Sequence, residues 1–140
     1  MLYIGSDHGG YELKVALLRH FDENGVAYVD CGCYGEVADY PDVAHKVCTD
    51  VLKDNSNKGI LLCGTGIGIS MAANKVKGIR AALCADCYSA EYARAHNDAN
   101  VLCLGGRVLG TGLATKLADT FLKTEFEGGR HAKRIEKLEP

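Results

Sequence analysis

Several things are missing from this 140-residue sequence, and each absence narrows what the chain can be. There is no excess of one charge: sixteen Lys and Arg face eighteen Asp and Glu, a formal net charge of −2. That balance leaves no field to hold a nucleic acid or an anionic membrane, so neither partner is expected. No stretch approaches the roughly eighteen unbroken apolar residues that a membrane helix needs. The opening, Met1-Leu2-Tyr3-Ile4-Gly5, runs on to Asp7 without the basic start and apolar core of a secretory signal. No internal repeat, low-complexity segment or linker divides the chain. The expectation is one soluble, cytoplasmic domain over residues 1–140, long enough to bury a core without staples.

Cysteine, by contrast, is plentiful. The seven residues 31, 33, 48, 63, 84, 87 and 103 are odd in number. Without an export signal they read as reduced thiols, most of them small apolar core residues. Cys31-x-Cys33 and Cys84-x-x-Cys87 are short pairs, but both fall at strand ends rather than on the paired turns of a four-ligand zinc site, so no metal is expected.

Apolar runs and helical patterns alternate along the whole chain. Strands are expected at Leu2–Gly5, Ala27–Cys31, Gly59–Cys63, Ile79–Cys84 and Val101–Leu104. Helices fit about 10–24, a segment starting near Pro41, about 68–75, 89–95, 112–122 and a last polar one at about 129–138. The strands are apolar throughout, as strands covered on both faces must be. Five βα units with short connections imply a three-layer α/β/α, Rossmann-like domain on a five-stranded parallel sheet with right-handed crossovers.

In such a sheet ligands bind beyond the carboxyl ends of the strands, where the strand order reverses. The segments that follow the strands are therefore the candidates. The sharpest is Cys63-Gly64-Thr65-Gly66-Ile67-Gly68-Ile69-Ser70. Alternate glycines allow a tight turn that gathers N–H groups at a helix N-terminus, an anion cradle. Its spacing is not that of a dinucleotide fingerprint, and it lacks the Lys-Ser/Thr of an NTPase loop. On its own it could be a plain tight turn. Cys63 adds chemistry, because a thiol facing a helix N-terminus has its thiolate stabilised. A base beside preorganised donors, with the Thr65 hydroxyl added, suits removal of a proton next to a carbonyl, since the charge moves onto oxygen.

Other groups carry two readings each. Asp7-His8 either caps the first helix or faces a ligand. His96 ends a helix, at the edge of the sheet opposite to Cys63, so it is either a cation on the helix dipole or a contributor to a neighbouring subunit's site. Arg107 follows Gly105-Gly106, and Arg130 and Arg134 share one helix face, either as a solvated basic face or as two guanidinium groups suited to a phosphate. His20 and His45 read as surface residues. Together these point to an enzyme acting on a small phosphorylated carbonyl compound, the competing reading being a non-catalytic phosphate-binding module.

Gly5-Ser6-Asp7-His8-Gly9-Gly10, Asp39-Tyr40-Pro41-Asp42, Gly59 to Gly68, Ala72-Ala73-Asn74-Lys75, His96-Asn97-Asp98, Gly105-Gly106-Arg107 and Glu127 to Arg134 together resemble the ribose-5-phosphate isomerase B family, which includes the galactose-6-phosphate isomerase subunits. The resemblance implies a metal-free, cofactor-independent aldose–ketose isomerase of the pentose phosphate pathway. It would interconvert ribose 5-phosphate and ribulose 5-phosphate through a cis-enediolate. By position, Cys63 resembles the base, and Thr65 with the amides of Gly64, Gly66, Ile67 and Gly68 the enediolate pocket. His96 resembles the ring-opening proton donor, with Asn97 beside it. Asp7 and His8 resemble substrate ligands, Asp7 also handling hydroxyl protons, and Tyr40 lines the sugar pocket. Arg107, Arg130 and Arg134 resemble the phosphate ligands. Some members use a glutamate in the following helix instead; here that place holds Ile69 or Ser70, which leaves Cys63. The family's sites lie between subunits, which implies a homodimer, or a tetramer of such pairs, with His96 and Arg107 facing a partner's Cys63. A six-carbon phosphate is the alternative substrate.

Overall fold

Short runs of Ile, Leu, Val and Cys make the strands, because a parallel sheet covered on both faces buries every side chain. In the computed structural model, which describes residues 1–139, these are β1 (Leu2–Ser6), β2 (Tyr28–Asp30), β3 (Lys58–Cys63), β4 (Ala81–Leu83) and β5 (Val101–Gly105). Between them run α1 (Tyr11–Glu23), α2 (Tyr40–Val51), α3 (Ile67–Asn74) and α4 (Cys87–Ala95), and after β5 come α5 (Thr111–Lys123) and α6 (Arg130–Leu138). All pairings are parallel, in the order β2-β1-β3-β5-β4. The expected three-layer, Rossmann-like sheet is the one observed, and every expected helix is present.

The differences lie at element ends. The edge strand β4 is shorter than expected because the Arg80 N–H goes to the Asn100 side chain at 2.8 Å. Helix α4 starts at Cys87, earlier than expected, because Asp86 caps it by accepting the Ser89 N–H at 2.7 Å.

Successive residues of β3 feed opposite faces. Ile60 and Leu62 join Leu17 and Phe21 of α1, Ala90 of α4 and Leu117 and Phe121 of α5. Leu61 and Cys63 join Val43 and Val47 of α2 and Ile69 and Ala73 of α3. Each fully covered Leu or Phe contributes about 1.5–3 kcal/mol. One charge lies inside this frame. Lys14 of α1 is 0% exposed, and its Nζ donates to Asp30 Oδ1 at 2.7 Å and to the Cys33 carbonyl at 2.6 Å. The Tyr34 ring lies 5.1 Å from it. A lysine tolerates such burial only when so paired, and this pairing pins the segment that follows β2.

The chain steps from β1 outward to β2, then crosses back to place β3 on the other side of β1. The order therefore reverses between β1 and β3, and the switch point at which this fold class binds ligands lies at the strand ends Ser6 and Cys63.

Candidate active site

At the end of β3 the backbone turns sharply. Gly66 adopts φ +78°, and a Cβ there would lie 2.6 Å from a Leu83 methyl and 2.9 Å from the Leu104 carbonyl carbon. Only glycine fits both demands. The turn brings the Gly66 N–H to Cys63 Sγ at 3.1 Å, and the Ile67 N–H to Thr65 Oγ1 at 3.1 Å. The remaining first-turn amides of α3 have no helical carbonyl to bond. Cys63 is 5% exposed, at the rim of the α2–α3 core.

The other buried thiols differ in setting. Burial pushes Cys48 up to about 12 and Cys84 up to about 11. Burial also raises Cys103 well above the ordinary thiol value, and raises Cys31, with Asp50 adding to the effect. These are protonated core thiols, as expected. Among the described residues, Cys63 alone accepts a backbone N–H on its sulfur.

Three loops converge on this turn. A Cβ on Gly9 would meet Gly64 N at 2.9 Å, and one on Gly106 would meet the Gly9 carbonyl oxygen at 2.6 Å. The loops after β1, β3 and β5 thus touch backbone to backbone. Buried Asp7 holds the first: its Oδ1 accepts N–H groups from Gly9 at 2.8 Å and Gly10 at 3.2 Å. Asp7 does not cap α1, whose N-cap is Gly10 without a side-chain bond; its carboxylate closes the turn ahead of the helix instead. His8 is exposed and its Nδ1 accepts the Ala38 N–H at 3.4 Å, linking the segment after β2. The Tyr40 ring covers Gly68, where a Cβ would lie 2.8 Å from ring carbons. Asp7, His8, Tyr40, Cys63 and Gly64 to Gly68 therefore share the carboxyl edge.

Arg107 joins them, which corrects one expectation. β5 pairs with β3 so that Gly105 sits opposite Cys63, and this places Arg107 beside Gly64 of its own chain. Its N–H bonds the Gly64 carbonyl at 2.9 Å, and its guanidinium lies 3.3 Å from where a Gly64 Cβ would be. Arg107 thus lies at the same edge as Cys63 of its own chain.

His96, Asn97 and Arg134 form a second cluster at the opposite edge. They line a cavity of about 280 Å³ with His131, Ile135 and Leu138. Helix α4 runs against the strands, and the chain after it reaches the start of β3, where the Gly59 N–H bonds the Asn100 carbonyl at 2.8 Å. A strand of this length separates the two edges by roughly 16 Å. The His96 ring lies 4.6 Å from Tyr92 and stacks on His131 at 4.2 Å, 15° from parallel. Glu127 approaches both imidazoles, at 3.7 Å from His96 Nε2 and 3.4 Å from His131 Nε2. Arg130, exposed at the start of α6, adds its charge beside His131. A larger concavity of about 510 Å³ opens at this edge between Lys75–Arg80 and the end of α6. It includes Asn97 but none of the carboxyl-edge residues.

The sequence model of the Ribose/Galactose Isomerase family matches residues 2–138. The chain belongs to that family. It is an enzyme of the isomerase class, and the resemblance carried by its motifs is thereby confirmed. Among relatives of this isomerase, ribose-5-phosphate isomerase B of Escherichia coli is 47% identical over 135 residues, covering 96% of this chain and 91% of the relative. A ribose 5-phosphate isomerase from Thermotoga maritima superimposes with a TM-score of 0.95 at 48% identity, covering 99% of this chain and 96% of that one. A ribose-5-phosphate isomerase B from Mycoplasma genitalium, solved with bound ribulose-5-phosphate, gives 0.91 at 46% identity, with 98% and 92% covered. No helix among the described residues of this isomerase is long and apolar enough to cross a membrane.

Glu127 and His131 carry no role in the sequence reading. The spacing Tyr88, Tyr92, His96 was the available signal, since residues four apart share a helix face. Their rings do form a file, with Tyr88 and Tyr92 at 4.5 Å. What the sequence could not give is the partner from α6, which arrives from 35 positions away.

Proposed function

We propose that the chain interconverts ribose 5-phosphate and ribulose 5-phosphate through a cis-enediolate, with Cys63 as the base. The observation that carries this reading is the Gly66 N–H held 3.1 Å from Cys63 Sγ, in the glycine turn that opens α3. Backbone donors beside the sulfur favour an oxyanion formed as the proton leaves carbon. Thr65 accepts the Ile67 N–H, so its own O–H is left to donate to a substrate oxygen. The bound ribulose-5-phosphate of the Mycoplasma genitalium relative supports the choice of substrate.

The two clusters act together in a homodimer. One copy supplies Asp7, His8, Tyr40, Cys63, the Gly64–Gly68 amides and Arg107. The other brings His96 and Asn97 to open the furanose ring, and Arg130 and Arg134 to hold the phosphate. The distance between the edges of one chain supports this division, because no single sugar phosphate spans roughly 16 Å. A six-carbon substrate is the second reading, favoured by the breadth of the family, which takes in galactose isomerases. Comparing kcat/KM on ribose 5-phosphate, allose 6-phosphate and galactose 6-phosphate decides between them.

Cys63→Ala tests the base. Turnover of ribose 5-phosphate should fall by roughly 10²–10⁴-fold while the sugar still binds, as calorimetry would report. Near-normal turnover would remove Cys63 from the chemistry and favour a phosphate-binding module with a bystander thiol.

A further inference from the structure

His96 is held from two sides. The Tyr92 ring meets it at 4.6 Å and 55°, and the His131 ring at 4.2 Å and 15°. His131 is the buried member, its side chain 8% exposed against 36% for His96. Two imidazoliums stacked this closely would repel, so the pair accommodates one proton. The titratable and charged groups around them are Tyr92 of α4, Glu127 ahead of α6, and Arg130 and Arg134 of α6. Glu127 favours a proton on the pair, and the arginines oppose one on His131. Burial first, then His96 and Arg130, holds His131 below the usual imidazole value.

The nitrogens and carboxylate of His96, Glu127 and His131 fall within 4.8 Å of one another, close enough to suggest a metal. The stacking argues against one. Lone pairs lying in two nearly parallel planes do not converge on a single ion, as a tetrahedral site requires.

We propose instead that His131 is a positioning residue for His96: its ring, stacked face to face on the other imidazole, fixes the plane of His96. The inference rests on the reading in which His96 opens the sugar ring. Opening a furanose requires a proton delivered to the ring oxygen along one direction, and a ring free to rotate about its side-chain bonds delivers it poorly. His131 supplies the orientation, and the Glu127 carboxylate lies 3.7 Å from His96 Nε2.

The test uses the full-length enzyme and both directions of the reaction. Ribose 5-phosphate is largely cyclic, whereas ribulose 5-phosphate is acyclic, since its phosphate blocks the oxygen that would close a five-membered ring. In His131→Ala, kcat on ribose 5-phosphate should fall about tenfold. KM should stay within about twofold, with the acid limb of the kcat–pH profile displaced. The initial rate from ribulose 5-phosphate should fall less. His131→Phe keeps a flat uncharged ring and should recover kcat to within about threefold of the parent. If His131→Ala does not fold, His131→Gln replaces it: loss in Gln with retention in Phe supports the stacking role, and equal rates in the two overturn it. Unchanged kcat and pH profile in His131→Ala also overturn it. His96→Asn separates the two levels. If His96→Asn is impaired and His131→Ala is not, the inference alone falls; if His96→Asn retains full turnover, the ring-opening reading beneath it falls.

Discussion

The two edges of the sheet are built from different materials. The carboxyl edge presents main chain: amides gathered by Gly64, Gly66 and Gly68, one sulfur, and loops so close that Gly9, Gly64 and Gly106 touch. The amino edge presents side chains: the His96–His131 stack, Glu127 and the two arginines of α6. Backbone donors are fixed by the fold and cannot be mutated away, so that edge is vulnerable to added atoms. Side-chain groups are vulnerable to removal. The same difference says where rigidity comes from: glycine packing on one side, ring stacking on the other.

Gly106→Ala should break the contrast most severely. Its methyl would sit 2.6 Å from the Gly9 carbonyl oxygen and 2.8 Å from Gly10 Cα, and must push the β1 loop away from the turn. A stability loss of about 1–3 kcal/mol in urea unfolding is expected, with activity falling further than stability explains. A fully active, fully stable Gly106→Ala protein would show that the loops are not tightly opposed. The next effect concerns whether the edges meet across two copies. Mixing Cys63→Ala with His96→Asn chains, each inactive alone, should restore about a quarter of parental turnover if the assembly is two-fold. No recovery after verified subunit exchange would count against a site shared between copies.

A smaller change is expected at α6. Arg134→Ala should raise KM for ribose 5-phosphate about tenfold, as loss of a charge-assisted bond does, and leave kcat nearly intact. An unchanged KM there and in Arg130→Ala would make α6 a solvated face. The smallest effect is one of pH. His131 is held below 6.5 in the folded chain, so below that value the unfolded chain binds a proton the folded one resists. Stability should therefore decline as pH falls through and beneath 6.5, and His131→Phe should flatten that slope in melting curves. A steeper slope in the variant would reverse the assignment of the neutral ring.

Much of this was legible in the sequence. The central strands β1, β3 and β5 announce themselves as unbroken apolar runs, and the glycine spacing after Cys63 marks the turn. Edge elements were read less well: β4 loses its start to the Asn100 side chain and α4 gains two residues at the Asp86 cap, both decided by single polar bonds. Arg107 was expected to face a partner's Cys63 and lies instead beside Gly64 of its own chain, because its place depends on which strand pairs with β3, and strand order is not written in local periodicity. Glu127 and His131 escaped for the same reason, since their meaning comes only from the helix they lean on. Lys14 drew no reading from the sequence, and it is wholly covered.

That covered lysine has a further consequence for the segment after β2. The ammonium is the anchor on which the Cys33 carbonyl and the Asp30 carboxylate both hang. Peeling the segment away by a small amount strands a cation in a dry interior, which is worse than either the docked or the fully released state. Release is therefore discouraged in small steps and tolerated only as a whole. Amide exchange across residues 31–39 should accordingly show one common opening rate rather than a gradient fraying from the tip.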